Sequence, residues 1–296
     1  MRIRSQVGSC DSVDTLKRNL PNGRTLLGAL VVLSLVTVLP GAARAQIDYR
    51  NLDDDRPTVT EDAYPVERYA FEFLAPYRFE RTVGGGALHL SVPEVAYGFA
   101  RNAQVGLKLP FATIREAPDL AGQSGASQSG LAGIVVFGLY NFNTEGPLLP
   151  AFALRTDVNF GVGALGGRGT RVAVKAIATR SWGSTRLHLN VARGLGSEAS
   201  LGPVDPLSRW SYGAAIDRTL FRRSLLLIGE IYARQPIADA ATEVNAGVGV
   251  RYQWRTATVF DFGIARRLRR DLGPDVALTL GLSHAFALSG LMPRGR

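Results

Sequence analysis

Between Arg168 and Phe286 the chain alternates apolar and polar residues in long runs separated by turns. From Thr242 to Trp254, Val244, Ala246, Val248, Val250, Tyr252 and Trp254 take one parity, while Glu243, Asn245, Gly247, Gly249, Arg251 and Gln253 take the other. Successive side chains of a strand point to opposite faces, so such a run has one apolar face and one polar face. The next run repeats the pattern, with Thr258, Phe260, Phe262 and Ile264 opposed to Arg255, Ala257, Val259, Asp261 and Arg267. Strands of soluble sheets are about five or six residues long, whereas these runs are roughly ten to thirteen, the length a tilted strand needs to cross a bilayer. The pattern therefore predicts an all-β fold, a transmembrane antiparallel up-and-down β-barrel with its apolar parity toward lipid and its charged parity toward a lumen.

The same reading along the chain gives about twelve strands, an even number as single-chain bacterial barrels have. The first spans Tyr69–Arg81. In the second, Ala87–Tyr97, Leu88, Leu90 and Val92 are expected outward, with His89 and Ser91 inward. The third, Ala103–Arg115, puts Lys108 inward, and the fourth, Leu131–Phe142, is apolar on both parities and has no assignable face. Short connections at Phe99–Asn102, Asn143–Pro147, Gly183–Ser184, Arg222–Arg223 and Trp254–Arg255 occupy every second junction. Those between, such as Glu116–Gly130 and Leu195–Leu207, tend to be longer. Outer-membrane barrels put short turns in the periplasm and longer loops outside, so both chain ends are expected in the periplasm and Glu116–Gly130 outside.

The ends refine this picture. Arg2, Arg4, Lys17, Arg18 and Arg24 precede an apolar run, Leu26–Leu39, which is followed by Pro40 and Ala43-Arg44-Ala45. That is the layout of a secretory signal peptide over residues 1–45, cut between Ala45 and Gln46. Its apolar core of about fourteen residues is short for a membrane helix, which needs about twenty. The single cysteine, Cys10, would leave with it, so the mature chain has no thiol, disulfide or cysteine metal site. The signal also removes six basic residues against Asp11 and Asp14, which leaves +5 of the formal +9. The remaining basic residues alternate with apolar ones instead of clustering, which argues against a nucleic-acid partner. Residues 46–67 differ in composition: Asp48, Asp53, Asp54, Asp55, Glu61, Asp62 and Glu67 outweigh Arg50 and Arg56, and no apolar periodicity is present. They form an acidic periplasmic leader or plug, followed by the barrel over 68–286 and a tail over 287–296.

Asp55-Arg56-Pro57-Thr58-Val59-Thr60-Glu61, Val95-Ala96-Tyr97-Gly98, Val105-Gly106-Leu107-Lys108-Leu109-Pro110 and Leu280-Gly281-Leu282-Ser283-His284-Ala285-Phe286 resemble segments of one bacterial outer-membrane family. That family is named for the meta pathway of phenol degradation and often labelled simply a transporter. The resemblance implies an outer-membrane channel for hydrophobic or aromatic compounds. The last strand also resembles the C-terminal signal recognised by the barrel-assembly machinery, although ten residues, Ala287–Arg296, follow Phe286.

A charge on the lipid face costs about 2–4 kcal/mol at the membrane midplane. Glu72, Arg78, Lys108, Arg155, Asp157, Arg171, Lys175, Arg186, Glu230, Arg234, Glu243, Arg251 and Asp261 should therefore line the lumen, together with Glu80, Asp217, Arg255 and Arg267. The basic residues are in excess there. The acidic leader, through Asp53, Asp54, Asp55, Arg56, Glu61 and Asp62, is expected to fold back from the periplasm and narrow the pore, Arg56 and Glu61 pairing with lumen charges.

No catalytic group stands out. His89 and Ser91 form a His-x-Ser pair of the kind found in lipid-hydrolysing barrels, but no acid is placed to orient the imidazole, since Glu94 has the wrong parity on an unbroken strand. His188 beside Asn190 reads as a solvated lumen pair, and the isolated histidines lack zinc spacing. No metal or cofactor is expected. The reading is a monomeric channel in the outer membrane of a Gram-negative bacterium. Its partners are outer-membrane lipid and lipopolysaccharide, the assembly machinery and a small-molecule solute. A closed structural or surface-interaction barrel is the alternative, and a lipid-hydrolysing enzyme the third.

Overall fold

A computed structural model describes residues 42–43, 46–117, 125–198, 201–204, 207–220, 224–269 and 273–292. The signal-peptide reading, with Cys10 and the cut after Ala45, lies outside the described residues, as do Arg222–Arg223 and the end of the tail.

Twelve strands form one closed antiparallel barrel. The first four are each in two pieces: β1 (Ala70–Leu74 and Tyr77–Arg81), β2 (Ala87–Ser91 and Glu94–Ala100), β3 (Ala103–Lys108 and Phe111–Arg115) and β4 (Ser127–Leu131 and Ile134–Asn141). The other eight are continuous: β5 (Ala151–Phe160), β6 (Thr170–Trp182), β7 (Thr185–Leu195), β8 (Trp210–Thr219), β9 (Leu225–Gln235), β10 (Glu243–Arg255), β11 (Thr258–Arg267) and β12 (Val276–Leu288). Each strand pairs with the next in sequence, and β12 closes on β1 with Phe286 opposite Phe71 and Leu278 opposite Phe79. Closure satisfies every strand edge, which the hydrocarbon region demands because it offers no water to an open one.

Alternation then sorts the side chains. Val136, Leu154, Val191, Ile216, Leu227, Ile231, Val248 and Phe262 stand on the outer surface. Their polar neighbours Arg155, Asp157, Lys175, Arg186, Arg251 and Asp261 are buried within. Phe99, Tyr140, Phe142, Trp182 and Trp254, all exposed, cluster at the short-turn end, where amphipathic rings suit the membrane interface. β4, apolar on both parities, turns Val135, Phe137 and Leu139 inward and Val136 and Tyr140 outward.

The pieces of β1 to β4 are divided at neighbouring positions by Ala75-Pro76, Val92-Pro93, Leu109-Pro110 and Ala132-Gly133. Proline has no N–H for the ladder. The backbone bridges the row with single bonds, Val92 N to Pro76 O (3.3 Å), Leu109 N to Pro93 O (2.9 Å) and Ala132 N to Pro110 O (2.8 Å). Above this row the wall reverses its chemistry. His89 bonds the outward Tyr77 hydroxyl through Nδ1 (2.6 Å), and Thr113 and Ser129 hydroxyls meet at 2.9 Å, both on the outside. Leu88, Leu90 and Ile114 pack inside against Ala112, Ala132 and Leu165. This corrects the expectation that Leu88, Leu90 and Val92 face lipid and His89 and Ser91 the lumen. Here the polar parity stands on the outside and the apolar parity packs inward. Glu94 is likewise an inward, buried residue, 3.6 Å from Lys108. Arg255 is not a lumen residue: it is exposed at the short-turn rim, stacked on Trp254. Arg267 pairs with Asp275 at the opposite rim (2.5 Å).

Val248 lies on the lipid face between Gly229 and Ile264. Val248→Arg should lower folding stability in lipid vesicles by about 2–4 kcal/mol, read from urea-dependent refolding, whereas Val248→Ala should change it by much less.

Candidate functional site: the leader within the lumen

Residues 46–67 run into the barrel from the short-turn end and return. Ile47 N donates to Thr256 O (3.0 Å) at the β10–β11 turn, and the Tyr49 and Thr219 hydroxyls lie 3.4 Å apart. The chain rises past Leu52, which packs on Ala215, Leu226 and Ile228, and reverses through Asp53–Arg56 with Asp55 in the left-handed region (φ 68°). Two bonds join the rising and returning limbs: Asp62 N to Leu52 O (3.0 Å) and Leu52 N to Asp62 Oδ2 (3.1 Å). The returning limb packs Ala63 against Leu139, Ala153 and Ile177, and meets β2 where Tyr69 N donates to Gly98 O (2.6 Å). The limbs are thus apolar near the short-turn end and the tip is ionic.

At the tip, Asp54 takes Lys108 (2.8 Å) and Lys175 (2.6 Å), while Glu61 takes Arg155 (2.7 Å) and Lys175 (3.1 Å). Burial opposes the Asp54 charge, but Lys108, Lys175 and Arg155 outweigh it and hold the carboxyl well below the usual carboxylate range. On the other side, Arg56 reaches Asp261 (3.3 Å), Glu72 (4.0 Å) and the Ser283 hydroxyl (2.5 Å) and bonds Asp53 within the leader (2.8 Å). Arg251 bridges Asp53 (3.3 Å) and Asp261 (2.8 Å). Asp62 pairs with Arg186 (3.1 Å), itself fastened to Asp217 (2.6 Å). Charge complementarity is therefore sectoral. With Glu94 among the buried acids and Arg255 outside, the excess of base on the strands is smaller than parity suggested. A basic sector on β3, β5 and β6 faces Asp54 and Glu61, and an acidic sector at β1 and β11 faces Arg56.

Polar lumen side chains take the leader's backbone; Glu230 and Asn190 were expected on the lumen face, whereas Thr179 and Gln104 were passed over. Glu230 accepts from Val59 N and Thr60 N (both 3.0 Å), Asn190 from Glu61 N (2.8 Å), Thr179 from Ala63 N (3.0 Å) and Gln104 from Val66 N (2.5 Å). Their inward parity was the available signal. His188, expected as a solvated lumen residue with Asn190, is instead fully buried beneath the leader, between Asp217 (2.9 Å) and the Thr179 hydroxyl (3.1 Å). Arg171 lies away from the leader and donates to Leu207 O (2.9 Å), and Arg234 pairs with Glu243 (2.7 Å) above the tip.

Glycines mark where leader and wall touch. A Cβ on Gly263 would collide with the Pro57 carbonyl and one on Gly98 with the Glu67 carbonyl. On Gly249 it would sit 2.9 Å from Pro57 Cγ, and on Gly213 2.6 Å from Thr60 Oγ1. Above the tip lies a vestibule of about 370 Å³, floored by Asp54, Asp55, Arg78 and Lys108 and rimmed by Pro203, Val204, Pro236 and Ile237 from the loops of the longer-loop end.

No family model matches the chain, and no curated protein matches it. Among solved structures, an outer membrane channel from Pseudomonas putida F1 superposes with a TM-score of 0.55 and 14% identity, over 76% of this chain and 98% of that one. The KdgM porin, solved in complex with disordered oligogalacturonate, gives a TM-score of 0.50 and 10% identity, over 72% of this chain and 98% of its own. At such identities the likeness is one of fold. The chain has the porin-like barrel fold of these channels, with the apolar outer band that places it in the Gram-negative outer membrane.

Proposed function

We propose that the protein is an outer-membrane channel for passive passage of small solutes, with residues 46–67 as a plug that narrows its lumen. The observation that carries this reading is the fit of the leader's tip to the wall, glycine against backbone and charge against charge. Desolvation offsets much of the attraction in a buried ion pair, so an ionic tip adds little net stability and can leave the wall when both faces rehydrate. The apolar limbs, by contrast, anchor the leader at the periplasmic end. A tethered base with a releasable tip suits a gate better than a permanent filling. The fold shared with an outer membrane channel supports passage, and the apolar residues of the vestibule support the hydrophobic or aromatic solutes that the family resemblance implies.

Deleting residues 46–60 should raise single-channel conductance in planar bilayers severalfold and weaken its dependence on salt. A truncated barrel that conducts as the whole protein does would remove the plug from this account. Absence of conductance in both forms would favour the closed structural barrel. A subtler lesion should act alike: Gly263→Leu, which drives a side chain into the Pro57 carbonyl, should shift conductance toward that of the truncated barrel. Gly229→Ala, whose new Cβ would meet only Ile216 Cγ2 at 3.9 Å, should leave it unchanged.

A further inference from the structure

The vestibule of about 370 Å³ above the leader is lined by two chemistries. One wall is apolar, made by Leu88, Leu90 and Val92 where β2 reverses its polarity. The floor is ionic. Its cations are already matched: Arg78 to Glu80 (2.7 Å), Lys108 to Asp54 (2.8 Å) and Arg234 to Glu243 (2.7 Å). So is Lys175 beside it, held by Asp54 at 2.6 Å and Glu61 at 3.1 Å. Among the acids, Asp157 is held by Arg155 at 2.9 Å.

Asp55 is the exception. Its nearest cation is Arg78 at 3.7 Å, a guanidinium that Glu80 already holds, and among the described residues its carboxylate accepts no hydrogen bond. Its side chain is 40% exposed at the summit of the leader's reversal, where the left-handed backbone (φ 68°) turns it away from the limbs. Desolvation inside the barrel, then the neighbouring Asp54 charge, push its carboxyl above the ordinary value against the weaker pull of Lys108, Arg78 and Lys175.

We propose that this vestibule binds a small amphipathic organic cation, with an ammonium group on the Asp55 carboxylate and an apolar body against Leu88, Leu90 and Val92. An ammonium supplies the missing counter-charge and donates hydrogen bonds to a carboxylate that has none. A carboxylate ligand meets only guanidinium and ammonium groups that are already paired, and it faces Asp55 directly. A cavity of a few hundred Å³ holds a ligand of about ten heavy atoms, and the two-sided lining rewards one with a greasy body and a charged end. This deepens the channel reading and rests on it only for the route by which the cation arrives.

The test is calorimetric binding to the full purified protein in detergent, using phenethylammonium as the probe, with 3-phenylpropionate and 2-phenylethanol as the anionic and neutral analogues. Phenethylammonium should bind, with the two analogues at least ten-fold weaker. Asp55→Asn, which keeps the shape and tolerates the left-handed backbone, should weaken the cation at least ten-fold, and Asp55→Glu should keep most of the affinity. Leu90→Asn, far from the charge, should weaken it severalfold. Equal binding of the carboxylate, cation binding unaffected by Asp55→Asn, or no binding of the cation at all would overturn the proposal. Conductance plays no part in this measurement, so a protein that binds the cation but conducts neither whole nor without residues 46–60 would overturn the channel reading and leave the site in place.

Discussion

Hydrocarbon tolerates neither an open strand edge nor a charge, at about 2–4 kcal/mol for a basic residue at mid-membrane. Charged residues of the strands such as Arg155, Asp157, Lys175, Arg186, Arg251 and Asp261 are consequently turned into a single enclosed space. There the problem changes form, because charges withdrawn from water must find partners or lose more than they gain. Strand-to-strand pairs such as Arg186 with Asp217 and Arg251 with Asp261 answer part of the demand. Lys108 and Lys175, whose closest carboxylate is Asp54, and Arg155, which divides itself between Asp157 and Glu61, draw the remainder from the leader. The acidic composition of residues 46–67 is thus the counterpart of a basic sector that β3, β5 and β6 assemble.

The wall was legible from the sequence because its two signals are local. Period-two alternation reports which face a residue takes, and connection length reports which end of the barrel it adjoins. Both fail where the surroundings of the strand change along its length. Leu88 and Leu90 obey the same alternation as Leu227 and Val248, yet they face inward, because above Pro93 the outside is polar and the inside is packed. β4 defeated the reading for a related reason: Phe137 and Leu139 are apolar on the lumen face because they pack beneath the leader's limb, not toward lipid.

The site was legible in composition and not in partnership. An acidic segment next to inward arginines and lysines suggests attraction, and Arg56 and Glu61 do stand beside lumen charges. Which carboxylate meets which cation depends on the height of each strand in the barrel, which alternation does not encode. Counting Arg255 as inward and Glu94 as outward enlarged the excess of base inferred from parity. The Asn190, Thr179 and Gln104 side chains that receive the leader's backbone are neutral, and nothing in their spacing separates them from other lumen polar groups.

Arg56 bears on how such a molecule is put together. Its guanidinium touches Glu72 on β1, Ser283 on β12 and Asp261 on β11, the strands at and beside the seam where the two ends of the sheet meet. It also lies fourteen residues before the start of β1 in the chain. The strand pair that closes the sheet and the segment that fills the interior are therefore stapled by one side chain. Closing the cylinder thus also completes the site that receives Arg56, so an unclosed sheet offers its leader only part of the contacts that hold it.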